Sequence, residues 1–255
     1  MRPEGATPRV LLIDIGNSMV KTRVWSRTGG LQGGPSWPTR AVPEPTSVLD
    51  GPYDGAVLAS VVPAVGDRFR DAASRTGAEL LEVTPELGQF VARIKGLYAS
   101  MGADRVADVI AMAASLTLPA LCIDAGTAVT FDLLGEGRVW SGGLILPGPA
   151  LLARSMAQGT ALLPQVQVES EDLMLATGTV PAISTGARWG GIAMVDGLLR
   201  LLTAHGYEWR SLVLTGGGAS SLSPHLSFDH VVDGDLGFRG MSIVWEAAGA
   251  RTDTR

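Results

Sequence analysis

Short apolar runs that end in glycine recur along the chain, and they predict buried strands closed by tight turns. The first is Val10-Leu-Leu-Ile-Asp-Ile-Gly-Asn-Ser18, followed by a second strand-like stretch from Val20 to Trp25. The second is Leu121-Cys-Ile-Asp-Ala-Gly-Thr-Ala128, followed by Val129-Thr-Phe-Asp-Leu-Leu134. Each reads as a strand, a glycine turn and an antiparallel return strand, with a carboxylate at the strand end and a small polar residue in the turn. The pattern then alternates. In the first half Gly55 to Val62 and Leu80 to Val83 read as strands, with helices at about Val65 to Ser74 and Asp104 to Leu116. Gly29 to Pro45 reads only as a Gly/Pro/Trp-rich connection. In the second half Arg138 to Leu146, Ser211 to Thr215 and His230 to Val232 read as strands, and Pro149 to Ala157 and Gly237 to Ala248 as helices. Val180 to Ala204 reads as a helix interrupted by Gly186, Gly190 and Gly191. This near-repeat predicts an α/β protein of two similar lobes, residues 1–117 and 118–255, with the boundary near Thr117 to Pro119.

Composition narrows the class. Of 255 residues, 46% are hydrophobic and 18% charged, which suits a globular chain with a sizeable core. The net charge of −5 comes without a basic stripe interleaved with aromatics, so nucleic-acid binding is not expected. No apolar stretch is long enough to span a bilayer, and Met1 to Arg9 holds no apolar signal region, so a soluble, cytoplasmic protein without a membrane partner is expected. Cys122 is the only cysteine, which rules out an intrachain disulfide. Set in an apolar run with no histidine nearby in sequence, it reads as a small core residue and not as a reactive thiol.

The paired turns point to phosphate chemistry. A glycine turn after a buried strand lets backbone N–H groups approach phosphate oxygens, and a carboxylate at the same strand end suits Mg²⁺. One Asp-x-Gly-Asn alone is equally an Asx turn that ends a strand. Two copies in equivalent places fit better a cleft in which both lobes face one nucleotide. Leu212-Val-Leu-Thr-Gly-Gly-Gly-Ala-Ser220 is a third glycine cluster, either a strand-to-helix turn or a backbone surface for an adenosine. Neither a P-loop nor a Gly-x-Gly-x-x-Gly fingerprint is present. Gly102-Ala-Asp-Arg105 opens a predicted helix, where Asp104 is either an N-cap or a base for an attacking hydroxyl, and where Arg105 suits a substrate carboxylate.

Taken in order, Asp14-Ile-Gly-Asn-Ser18, Gly102-Ala-Asp-Arg105, Asp124-Ala-Gly-Thr-Ala-Val-Thr130 with Asp132, Gly142 to Gly148, Ala161 to Pro164 and Thr215-Gly-Gly-Gly218 make the chain resemble the type III pantothenate kinases over nearly its whole length. The resemblance implies the actin-like ATPase (ribonuclease H-like) fold, with the nucleotide cleft between the lobes. It implies phosphorylation of pantothenate to 4'-phosphopantothenate by ATP with Mg²⁺, the first step of coenzyme A biosynthesis. Asp14, Ile15, Gly16, Asn17, Ser18, Met19, Val20, Lys21 and Thr127 would bind ATP, Asp14 reaching Mg²⁺ through phosphate or water. Gly102, Ala103, Asp104, Arg105 and Thr179 would hold pantothenate, with Asp104 the general base. Asp124 would hold a monovalent cation, K⁺ or NH₄⁺, and the active sites would lie at a homodimer interface. Two positions depart from the pattern. Lys95 stands seven positions before Gly102, where the family has a tyrosine, with Tyr98 nearby but out of register; Ser18 replaces a threonine. Two alternatives accompany this reading: a non-catalytic, nucleotide-binding regulatory relative, and a kinase of another small hydroxy acid.

Overall fold

The computed structural model describes residues 7–169 and 172–252, which divide into two compact units. The first holds the chain up to Leu116, the stretch Gly137–Trp140 and everything from Asp235 onward; the second holds Thr117–Glu136 and Ser141–Gly234.

In the first unit, strands β1 (Arg9–Ile15), β2 (Met19–Ser26), β3 (Gly30–Pro38), β4 (Gly55–Ser60) and β5 (Leu80–Glu82) form one sheet in the order β3-β2-β1-β4-β5. β1 pairs antiparallel with β2 and parallel with β4, so it is central, and successive residues Val10 to Ile13 are all buried, so both of its faces are covered. Its continuous apolar run follows from that position, because a strand buried on both sides needs no polar alternation. Leu11, Ile13 and Ile15 point one way and join Val20, Leu58 and Phe69 in a single cluster. Phe69 comes from α2 (Pro63–Thr76), which starts with proline in its first turn and ends where Gly77 turns left-handed (φ 70°). Around them lie α1 (Pro45–Leu49), α3 (Pro85–Ala92) and α4 (Ala103–Ser115). Residues Arg105 to Ala113 of α4 are all buried, so this helix is the unit's central pillar.

The second unit repeats the plan. Strands β6 (Ala120–Ala125), β7 (Ala128–Gly135), β8 (Val139–Pro147), β9 (Ser211–Thr215) and β10 (Val231–Val232) run in the order β10-β9-β6-β7-β8, the first sheet's order strand for strand. β6 again pairs antiparallel with its hairpin partner and parallel with the strand on its other side. Helices α5 (Pro149–Gly159), α6 (Thr179–Ala204) and the short α7 (Ala219–Leu222) complete it. Ile192, Val195 and Leu199 of α6 pack on Leu121, Ile123 and Phe131 of the sheet. Cys122 is buried in β6. No helix among the described residues is long and apolar enough to cross a membrane.

Three expectations are corrected. The Gly/Pro/Trp-rich connection contains β3, an edge strand on β2. Its glycines and prolines hid it, yet an edge position is where they are tolerated, and Gly34 is needed because a Cβ there would sit 2.8 Å from the carbonyl oxygen of Thr22. The long helix α6 runs unbroken through Gly186, Gly190 and Gly191. Gly191 gives room to Pro149, which would lie 3.1 Å from a Cβ there, so the glycine serves helix packing and not a break. Finally, the terminal helix α8 (Leu236–Thr252) packs with the first unit and not with the residues that precede it, where the division at 117 and 118 put it.

The seam between α4 and α8 depends on one close approach. A Cβ on Gly240 would overlap the backbone carbonyl of Ala107. Gly240→Ala is therefore expected to destabilise the protein by about 1–3 kcal/mol through overpacking. Helix propensity alone predicts the opposite sign, a gain of about 1 kcal/mol. The midpoint of urea denaturation decides between them.

Candidate active site

The turn after β1 exposes what the strand buries. Asp14 is half-buried at the strand's end, opposite Lys21 of β2, and Asn17, Ser18 and Met19 are exposed. The Gly16 N–H donates to the carbonyl of Met19 at 3.0 Å and closes the turn. Thr39, just past β3, holds it from outside: its hydroxyl donates to the Gly16 carbonyl at 2.6 Å, and its N–H to the Ser18 carbonyl at 3.0 Å. Thr39 is buried, and sequence reading missed it, because nothing near it in the chain marks it.

The turn after β6 is built the same way with one residue fewer. The Gly126 N–H donates to the carbonyl of Ala128 at 3.0 Å, and Gly148, just past β8, donates its N–H to the Thr127 carbonyl at 3.0 Å. Gly148 is thus the counterpart of Thr39, and only glycine fits: a Cβ would lie 2.6 Å from the Gly126 carbonyl oxygen and 2.7 Å from that of Thr127. The third glycine cluster closes on the same strand end. Gly216 is left-handed (φ 84°), a Cβ on it would overlap Oδ1 of Asp124, and Gly218 donates its N–H to the Ala125 carbonyl at 2.7 Å. Asp124 therefore rests in a cradle of bare backbone that any side chain at 216 would fill. Its donors are oxygens, the set that hard cations take. Among the described residues no three His, Cys, Asp or Glu side chains come together as a metal cage.

Gly102-Ala-Asp-Arg105 forms the start of α4, but the cap is Gly102 and Asp104 sits within the first turn, so the N-cap reading of Asp104 does not hold. Its Oδ1 accepts the N–H of Arg105 at 2.7 Å. Burial raises the proton affinity of this carboxyl above the ordinary aspartate range, against the pull of the Arg105 N–H and guanidinium charge. The motif adjoins the first turn: the Val61 N–H donates to the Ile15 carbonyl at 3.0 Å, and Val61 Cγ1 would lie 3.3 Å from a Cβ on Gly102. Within the first unit, then, one small region holds the residues expected to bind nucleotide, Asp14 to Lys21, and those expected to bind acceptor, Gly102 to Arg105.

Arg105 is 5% exposed. Its Nη1 donates to the hydroxyl of Tyr98 at 2.9 Å. The tyrosine that is out of register in sequence thus lies on the motif's arginine in space, because a turn closed by Met101 N–H to the Tyr98 carbonyl (3.0 Å) brings it back. Asp124 and Thr127 belong to the second unit with Gly148 and Gly216. Thr179 is also in the second unit, exposed in the first turn of α6, where it lines an apolar groove of about 640 Å³ with Leu152 and Met156 of α5 and Leu163.

Known proteins share the fold. A Campylobacter jejuni protein described as a conserved putative Baf family transcriptional activator matches with a TM-score of 0.58 at 21% identity, over 94% of this chain and 99% of that one. The activator of 2-hydroxyisocaproyl-CoA dehydratase from Clostridium difficile, solved with bound ADPNP, matches with a TM-score of 0.56 at 12% identity, over 97% and 98% of the two chains. These likenesses establish the actin-like ATPase fold. In sequence, a type III pantothenate kinase of Phenylobacterium zucineum is 33% identical over 76% of each chain, and one of Akkermansia muciniphila is 32% identical over 91% of this chain and 96% of that one. The family model for type III pantothenate kinase matches residues 10–201. The chain belongs to the type III pantothenate kinase family.

Proposed function

We propose that the protein transfers the γ-phosphoryl group of ATP to the hydroxyl of pantothenate, which gives 4'-phosphopantothenate and ADP at the entry to coenzyme A biosynthesis. The observation that carries this reading is Asp104, a carboxyl whose burial raises its proton affinity at the head of a buried helix. As the acceptor oxygen bonds to phosphorus and the bond to the β-phosphate oxygen breaks, Asp104 takes the hydroxyl proton. Gly102, Ala103 and Arg105 hold pantothenate, Arg105 by its carboxylate. Asp14 to Lys21 and Thr127 hold ATP through turn N–H groups and small polar side chains. Asp14 would reach Mg²⁺ through phosphate or water, and the bound ion would supply neutralisation of phosphate charge. Asp124, in its backbone cradle, suits a monovalent cation, K⁺ or NH₄⁺. The rest of the catalysis is positioning and charge stabilisation by fixed dipoles. An enzyme that draws on ATP for coenzyme A synthesis would work in the cytoplasm. Neither a regulatory, non-catalytic role nor another hydroxy acid as acceptor has an observation in its favour.

The protein is also proposed to act as a homodimer. Leu162, Leu173, Met174, Leu175 and Val180 are exposed, Leu162 and Val180 being chain neighbours of the groove residues Leu163 and Thr179, and Leu175 is entirely uncovered. A second copy is the occupant that the resemblance supplies, and it would carry Thr179 to the partner's pantothenate.

Coupled ADP release with pantothenate, Mg²⁺ and K⁺ tests the activity; no turnover sinks it. Asp104→Asn should lower kcat by about 10²–10⁴-fold. Its stability should change in a definite direction. Because the folded protein holds this proton more tightly than the unfolded chain, stability falls as pH rises from the ordinary aspartate pKa of about 3.9 through the raised one. The penalty is complete above the raised value and absent below both. Asp104→Asn should therefore unfold at a higher temperature than the wild type at neutral pH, and lose that advantage in acid. Replacing Leu175 with Asp should shift the protein from dimer toward monomer in light scattering, with loss of pantothenate turnover. A wild type that is monomeric at working concentrations excludes the dimer.

A further inference from the structure

Two aromatic side chains that sequence motifs did not mark enclose Arg105. Besides the hydrogen bond from its Nη1 to Tyr98, its guanidinium carbon lies 5.9 Å from the ring centroid of Trp140. The rings of Tyr98 and Trp140 are 5.4 Å apart and tilted by 53°. Trp140 belongs to the first unit through the stretch Gly137–Trp140, although β8 continues from it into the second sheet.

The backbone spends strain to bring it there. Lys95 and Val139 form an isolated parallel bridge, in which the Lys95 N–H donates to the Arg138 carbonyl (2.9 Å) and the Trp140 N–H to the Lys95 carbonyl (2.8 Å). Arg138 also donates from Nη1 to the Ala92 carbonyl at 2.8 Å. The only non-glycine residues with positive φ among the described residues are Arg93 (53°) and Arg138 (60°), one on each side of this clasp. Gly96 (φ 86°) completes it, since a Cβ there would lie 3.2 Å from the Trp140 carbonyl oxygen. Left-handed conformations of side-chain-bearing residues cost free energy and persist where surrounding structure holds them, often near functional sites. Lys95 thus takes part through its backbone.

We propose that Tyr98 and Trp140 are positioning residues for acceptor recognition: the Tyr98 hydroxyl fixes one edge of the Arg105 guanidinium, the Trp140 ring fixes its plane, and the clasp at Lys95 delivers the tryptophan. The proposal rests on the reading that Arg105 binds the pantothenate carboxylate. A guanidinium held at an edge and a face keeps one orientation, so its pairing with a planar carboxylate loses less freedom on binding. A lone flexible arginine would bind any anion nearby; a fixed one selects a carboxylate at one place.

The test uses two acceptors on the full chain: pantothenate and its neutral alcohol analogue, in which CH₂OH replaces the carboxylate. Tyr98→Phe removes one oxygen and keeps the ring against Trp140. It should lower kcat/KM for pantothenate about tenfold, mainly through KM, with the KM for ATP and turnover of the alcohol unchanged. Trp140→Leu should act in the same direction by about three- to tenfold, and Trp140→Phe should restore most of the loss. Unchanged thermal midpoints identify variants whose fold is intact. Equal losses on both acceptors, losses confined to kcat or to the KM for ATP, or no loss at all would overturn the positioning role. A wild type that uses both acceptors equally overturns the Arg105 contact on which the proposal stands. A wild type that phosphorylates neither overturns the proposed function itself, and the proposal with it.

Discussion

How near one stretch of backbone can come to another is the constraint on which this protein depends. At the end of β6 the carboxylate of Asp124 lies where a side chain on Gly216 would have to go. The carbonyls of Gly126 and Thr127 leave no space for one on Gly148. A carboxylate and a row of amides gathered this closely carry fixed partial charges without side-chain reorganisation, which is what the transfer of a highly charged phosphoryl group requires. The burial of β1 and β6 supplies the rigidity. A strand packed on both faces cannot shift, so the turn it ends in is held by the whole core and by the residue just past the third strand, Thr39 in one unit and Gly148 in the other.

Much of this was legible in the chain, and physical reasons separate the parts that were from those that were not. The apolar runs Val10 to Ile15 and Leu121 to Ala125 announced the central strands because burial on both faces leaves a continuous signal. The equivalence of the two hairpins showed as repeated Asp-x-Gly turns and reappears as identical strand order. β3 escaped notice because an edge strand buries little, so its sequence is free to be glycine and proline. α6 looked interrupted because glycine that makes room for Pro149 cannot be told, in a single sequence, from glycine that breaks a helix. The placement of α8 depends on contacts with α4 far away in the chain, and no local pattern records them.

The acceptor end shows the same limit at the scale of single side chains. Gly102-Ala-Asp-Arg105 was readable as a contiguous motif, but the environment that gives Asp104 its raised proton affinity comes from the fold. Counting along the chain found Lys95 where the family has a tyrosine. In space, the turn from Tyr98 to Met101 sets a phenol on Arg105, and the hairpin after β7 adds an indole. A guanidinium can be held by groups that no contiguous motif announces, because what matters to it is the direction from which it is touched.

The placement of α8 on the first unit has a consequence for biosynthesis. During translation α4 leaves the ribosome long before the helix that covers it, and all of the second unit is made in between. The first unit must wait with its central pillar uncovered on one side while its neighbour has all of its own chain to hand. The first unit can close only after the chain of the second has been made, so its completion runs against the order of synthesis.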